Sequence, residues 1–218
     1  MSRPLAVLRP EPGNAATVAR IEALGHAAIA MPLFAVTPLD WTRPDPAGFD
    51  ALLLTSANGV RRAGAGIAAL ATLPVYALGE ATAVAANAAG LQVAYTGEGD
   101  GADLLAAARM SGVTRALLLA GRERRIDAGG IVARAIAVYA ADPLPAPDIA
   151  RLAESVALVH SARAGALLSE LVEERGAIRL AAISRAAADA AGSGWGAVAV
   201  AEQPRDAALI ATAIALAD

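Results

Sequence analysis

Short apolar runs alternate with Ala- and Leu-rich stretches of helical period along the chain, the pattern of parallel βα units. The runs predict strands at Leu5–Leu8, Ala27–Met31, Ala51–Thr55, Val75–Leu78, Gln92–Tyr95, Ala116–Leu119, Ala135–Tyr139, Val156–His160, Arg179–Ile183 and Ala197–Ala201. Between them the pattern predicts helices, among them Asn14–Leu24, Val60–Ala71, Glu80–Ala89, Ala102–Arg109, Arg163–Arg175 and Arg205–Ala217. Ten strands are many for one sheet in 218 residues, so two sheets are expected.

An internal repeat supports two sheets. A shift of 105 residues lays Leu53-Leu54-Thr55-Ser56-Ala57-Asn58 on Leu158-Val159-His160-Ser161-Ala162-Arg163. The same shift lays Val75–Glu80 on Leu180–Arg185, Val93 on Val198 and Leu104-Leu105 on Leu209-Ile210. Ala–Ala matches mean little in so Ala-rich a chain; the constant register and the Ser56/Ser161 match carry the argument. Two pieces lie outside the repeat. Residues 1–35 read strand, Arg9-Pro10-Glu11, helix, strand; residues 115–140 read strand, Gly121-Arg122-Glu123, helix, strand. One precedes its three-strand unit and the other follows. The expected fold is therefore α/β: two similar parallel-sheet, flavodoxin-like domains, one circularly permuted. Residues 1–35 with 144–218 form the first and 47–138 the second. Pro-rich segments 36–46 and 136–147 join them as a two-segment β linker, a double hinge suited to opening and closing on a ligand.

Composition narrows the chemistry. All 18 Lys+Arg positions are Arg, and there is no Cys. Schiff-base chemistry, the P-loop lysine, thiolate nucleophiles and iron–sulfur ligation are excluded. With only His26 and His160, a His-rich metal site is excluded as well. A net charge of −3 and seven aromatic residues (two Trp, three Tyr, two Phe) argue against a nucleic-acid partner. No stretch reads as a membrane span or a signal peptide, so a cytoplasmic protein is expected. Chemistry is left to Arg, Ser, Thr, Tyr, carboxylates and backbone amides.

Three stretches, with the strand end Val159-His160-Ser161, give the chain a family resemblance. They are Asp50-Ala51-Leu52-Leu53-Leu54-Thr55-Ser56-Ala57-Asn58-Gly59-Val60, Val75-Tyr76-Ala77-Leu78-Gly79-Glu80-Ala81-Thr82-Ala83, and Ala137-Val138-Tyr139. In that order the chain resembles the uroporphyrinogen-III synthase family over nearly its whole length. The resemblance implies cyclisation of hydroxymethylbilane, a linear tetrapyrrole, to uroporphyrinogen III with inversion of ring D and loss of water. It also implies no cofactor and no metal, and a site in the cleft between domains; a monomer is expected. The competing reading is a non-catalytic two-domain module that binds an anionic metabolite. A phospho-receiver domain is disfavoured, because that chemistry wants a Lys.

Candidate residues follow. By the resemblance, Tyr139 matches the family's interdomain tyrosine and would assist the departing hydroxyl; otherwise it packs a linker strand. Thr55, Ser56 and Asn58 end a strand and open a helix, where hydroxyls and amides can hold carboxylates. Ser56 itself reads as an N-cap, and Ser161 repeats it. Gly79, Glu80 and Thr82 form the next strand-to-helix turn, Thr82 matching a threonine of the family's site. The second half departs from the family, with Ala187 for a threonine and Ser184-Arg185 for Gly-Pro. Arg9, Arg122, Arg124, Arg125, Arg163 and Arg185 follow strands at the ligand edge and suit substrate carboxylates. His160 reads as a strand-end residue without a catalytic role, and Trp41 and Trp195 as packing.

Overall fold

The computed structural model describes residues 2–98, 100–145 and 147–218; Met1, Gly99 and Ala146, the last within the expected second linker, lie outside them. The chain divides into two compact units, 1–35 with 143–218, and 36–142.

In the first unit, β1 (Leu5–Val7), β2 (Ala28–Ala30), β9 (Val156–Val159), β10 (Arg179–Ala182) and β11 (Ala197–Val200) form a parallel sheet in the order β11-β10-β9-β1-β2. β1 bridges the termini: Leu5 pairs with Ala28 on one side and with Val156 on the other. Four helices cover the sheet, α1 (Gly13–Ala23), α5 (Ala162–Leu171), α6 (Arg185–Ala191) and α7 (Asp206–Ala217). β1 and β9 are buried along their whole length, as strands with helices on both faces must be. Leu5, Val7, Val156 and Leu158 meet Ile21 of α1 and Leu209, Ile210 and Ala213 of α7. On α5, Gly165 lets α6 approach closely: a Cβ there would stand 2.5 Å from the Ala187 carbonyl oxygen and 3.0 Å from the Ala191 nitrogen.

The second unit holds β3 (Phe34–Pro38), β4 (Ala51–Leu54), β5 (Val75–Leu78), β6 (Val93–Gly97), β7 (Ala116–Gly121) and β8 (Val132–Pro143), in the order β3-β8-β7-β4-β5-β6. Helices α2 (Ala57–Arg62), α3 (Glu80–Ala88) and α4 (Gly101–Met110) complete it. Alternate residues of the central strands face opposite cores. Leu52, Leu54, Leu117 and Leu119 pack with Val60, Ala83 and Ala86; Ala51, Leu53, Leu118 and Ala120 pack with Leu104 and Ala108. The two sheets share the order of a three-strand unit beside a two-strand piece. β1–β2 enters the chain ahead of β9–β11, whereas β7–β8 follows β4–β6. β4 and β9, α2 and α5, α3 and α6, and α4 and α7 each start 105 residues apart.

Three expectations are corrected. No helix joins β7 to β8: residues 122–131 are an irregular crossover. It carries Arg122, Arg124 and Arg125, has Gly129 and Gly130 near its end, both at positive φ, and leaves too few apolar positions for a helix stripe. In place of a helix, Ile126 packs toward α4, where a Cβ on Gly101 would stand 2.7 Å from its Cδ1. Second, the predicted helix 60–71 starts at Ala57 and breaks at Gly64, whose φ of +63° ends the α turn; a 3-10 helix (Gly64–Leu70) follows. Third, the strand beside β7 runs from Val132 to Pro143 rather than over 135–139, while the first segment of the expected β linker is the strand Phe34–Pro38.

Candidate functional site

Parallel strands bring their carboxyl ends to one edge, so the expected residues gather by unit. In the second unit, Arg122 after β7, Thr55, Ser56 and Asn58 after β4, and Gly79 to Thr82 after β5 stand at the ends of three adjacent strands, and Tyr139 within β8 is level with the end of β7. From β4 the chain runs to β5 and β6 on one side, and from β7 to β8 on the other, so the strand order reverses at the β4/β7 boundary, the kind of place where open α/β sheets hold ligands. In the first unit the same boundary lies between β1 and β9. Arg9 flanks it on one side and His160 and Ser161 on the other; Ser184 and Arg185 follow the next strand.

The serines act as caps. Ser56 Oγ accepts the Asn58 N–H at 3.2 Å, Ser161 Oγ the Ala164 N–H at 3.1 Å, and Ser184 Oγ the Ala187 N–H at 3.3 Å. Each satisfies one amide left open at a helix start. Gly79, at φ +84°, donates its N–H to Gly97 and accepts from Thr82 and Ala83, a turn closed to L side chains. Thr82 is buried in the first turn of α3, and Glu80 is exposed.

Several arginines are already engaged. Arg122 pairs with Glu123 at 2.9 Å and with Asp142, and these carboxylates raise its pKa. Arg124 pairs with Asp127 at 2.6 Å. Arg163 lies over the Phe34 ring, 4.6 Å from its centre. Arg125 and Arg185 are exposed. Trp195 donates to the Ala191 carbonyl and sits under Arg175; Trp41 donates to the Ala63 carbonyl.

Arg9 belongs to a cluster that the sequence did not reveal. Asp206, the first residue of α7, accepts from Thr17 Oγ1 at 2.9 Å, from Arg20 at 2.6 Å and from Arg9 at 3.3 Å, and meets His160 Nε2 at 2.8 Å. Burial alone would raise the Asp206 pKa, but the bonds from His160, Arg20 and Thr17 outweigh it and hold the carboxyl well below the usual range. Burial lowers the His160 pKa; the Asp206 bond opposes that shift and the Arg9 charge reinforces it. His160 Nδ1 is buried with at most a loose contact to the Leu158 backbone. Next to the cluster, Asn14 donates to the Val7 and Arg9 carbonyls at 2.7 and 3.0 Å, fixing the turn after β1. The only sequence signal for the cluster is an acidic residue opening a helix, which is commonplace.

Tyr139 stands opposite Gly121 across the β7–β8 ladder, half-buried, with its backbone carbonyl accepting the Arg122 N–H at 2.8 Å. Among the described residues, no group of three His, Cys, Asp or Glu could hold a metal ion, and no helix is long and apolar enough to cross a membrane.

Solved structures with this fold span the full chain. The uroporphyrinogen-III synthetase of Helicobacter pylori 26695 matches with a TM-score of 0.64 and 16% identity, covering 98% of this chain and 99% of that one. A mutant uroporphyrinogen III synthase of the extremely thermophilic bacterium Thermus thermophilus matches with a TM-score of 0.59 and 21% identity, covering 99% of each. Among curated proteins, none is similar enough in sequence to count as a relative. The family model described as uroporphyrinogen-III synthase HemD matches residues 15–211, from the first turn of α1 into α7, and so includes every strand except β1. This chain therefore belongs to the uroporphyrinogen-III synthase family.

Proposed function

We propose that this chain is a uroporphyrinogen-III synthase, closing hydroxymethylbilane to uroporphyrinogen III with ring D inverted and one water lost. The observation that carries the reading is the family match over residues 15–211. The reaction asks little covalent chemistry of a protein. Loss of the substrate hydroxyl leaves a pyrrole-stabilised cation, and the protein must assist that departure and hold ring D over the reacting carbon. Well-oriented intramolecular reactions gain up to about 7–11 kcal/mol from such positioning. No cofactor or metal is part of the proposal.

In this reading Tyr139 donates its phenolic hydrogen bond to the departing hydroxyl, supported by its place level with the end of β7 and beside Arg122. The amides around Ser56, Ser161 and Ser184, with Thr55 and Asn58, face substrate carboxylates; in the next turn Gly79 lets the backbone approach the substrate, Thr82 hydrogen-bonds it, and Glu80 lies at the same helix start. Arg163 and Arg185 supply positive charge to them. Arg9 and Arg122 take part through guanidinium groups that Asp206, Glu123 and Asp142 already orient. The protein is proposed to work in the cytoplasm as a monomer without a nucleic-acid partner, in keeping with a net charge of −3. The test is an assay with freshly made hydroxymethylbilane, separating product isomers. Isomer III above the spontaneous isomer I is expected; isomer I alone refutes the enzyme and leaves the anion-binding module.

A further inference from the structure

We infer that Gly121 is a positioning residue for Tyr139, an inference that rests on the role proposed above for the Tyr139 hydroxyl. A Cβ added to Gly121 would stand 2.9 Å from Tyr139 Cε2, 2.9 Å from Cζ and 3.1 Å from the hydroxyl oxygen. The far end of the ring, including the atom proposed to act, therefore lies directly on the Gly121 backbone.

Glycine is not needed here for its conformation. Gly121 ends β7 and is absent from the residues at positive φ, so any side chain could adopt its backbone. A glycine in a strand weakens it and marks a close approach, and the three atoms nearest to its open side all belong to the Tyr139 side chain. The ladder is built around the same contact. Its register slips between Ala120 and Gly121: Ala120 faces Ala137, Gly121 faces Tyr139, and Val138 is the extra residue. That bulge sends Val138 into the core and sets Tyr139 over the glycine. Two backbone bonds pin it, from the Arg122 N–H to the Tyr139 carbonyl at 2.8 Å and from the Leu39 N–H to the Val138 carbonyl at 3.0 Å. With the backbone held on both sides, a methyl group at Gly121 can be accommodated only by turning the ring away, which carries the hydroxyl off its position.

The experiment uses Gly121→Ala, Tyr139→Phe and the double variant, each assayed for kcat and KM of isomer III formation. The placement of the Tyr139 ring is followed by its near-ultraviolet circular dichroism, taken as the difference from Tyr139→Phe. Gly121→Ala should lose about tenfold in kcat, as Tyr139→Phe does, with KM changed by no more than about twofold. The double variant should be no slower than Tyr139→Phe, and the Tyr139 band should change in Gly121→Ala. An unchanged band, or a further loss in the double variant, overturns the inference. If Tyr139→Phe runs at the wild-type rate, the catalytic role of the hydroxyl falls, while a changed band still supports the placement. Should Gly121→Ala fold poorly, Gly121→Ala in a Tyr139→Ala background decides. Its Tm should match that of Tyr139→Ala alone, because the obstructing ring is gone; a further drop overturns the inference.

Discussion

Replacing Asp206 should show how much the first unit depends on one carboxylate. Asp206→Ala removes the acceptor shared by Thr17, His160, Arg20 and Arg9. Thr17 is fully buried and the His160 side chain is 8% exposed, so both lose their partner out of reach of water. A buried polar group left unsatisfied costs about 1–3 kcal/mol. The Arg20 and Arg9 side chains are 59% and 35% exposed, return to water, and count for about 0–1 kcal/mol each. Allowing for relaxation, the expected loss at pH 7 is about 3 kcal/mol, a fall in Tm of about 6–12 °C for a chain of this size. Asp206→Asn keeps an acceptor but not the charge, and should lose about half as much. Acid should close the gap. The folded pKa of Asp206 lies below its ordinary value, so its contribution is complete above about pH 4, where the unfolded carboxyl has ionised, and is lost as pH falls further. His160, held neutral by burial, adds a loss below about pH 6.5, where the unfolded imidazole takes up a proton and the folded one resists. Urea titrations of wild type and both variants at pH 7, 5 and 3 measure this. An Asp206→Ala variant within about 0.5 kcal/mol of wild type at pH 7 refutes the reasoning, as does a gap as large at pH 3 as at pH 7.

Tyr139→Phe should slow isomer III formation about tenfold with unchanged Tm, the wet site of a polyanionic substrate making one donor worth less than in a dry oxyanion hole. Thr82→Ala should act mainly on stability, because Thr82 is buried; comparing its Tm and kcat separates packing from substrate contact. Gly165→Ala should destabilise by at least about 1–3 kcal/mol, read from urea midpoints, since the atoms its Cβ would strike are backbone of α6 and cannot rotate away. Treatment with a strong chelator should leave the rate of isomer III formation unchanged, and a loss restored by metal would refute the cofactor-free reading.

The parts of the fold set by local pattern were legible in the sequence. The 105-residue register foretells paired starts of strands and helices, and Ser56 and Ser161 read as caps because capping needs only neighbours in the chain. Two kinds of feature were not legible. The crossover 122–131 stands where the likeness to residues 1–35 predicts a helix, because it lacks the apolar stripe a helix would bury; Ile126 and Ile131 pack it against the core beside α4 instead. The Asp206 cluster joins residues 9, 17, 20, 160 and 206, which only the finished sheet brings together. For that reason His160 reads from the sequence as a bystander, whereas its Nε2 meets the most strongly engaged carboxylate of the unit. Glycine presents the same difficulty: the pattern marks Gly121 as a turn residue, and its meaning lies in the ring that covers it.

The pairing of Leu5 with Val156 also orders events during synthesis. A ribosome releases the chain from its N-terminus, so β1, α1 and β2 emerge first and have no central strand to join. The second unit is continuous, from Val36 to Asp142, and has every strand it needs once β8 is out. It can fold while β9, β10 and β11 are still unmade. Until then the nascent chain carries β1 with one edge open and its Leu and Val side chains uncovered, a surface that a holdase chaperone would bind. Folding of the middle unit draws the two ends of the gap together and shortens the loop that β1 and β9 must later close, lowering an entropy that grows with the logarithm of loop length. The last strand to be made therefore completes the sheet begun by the first.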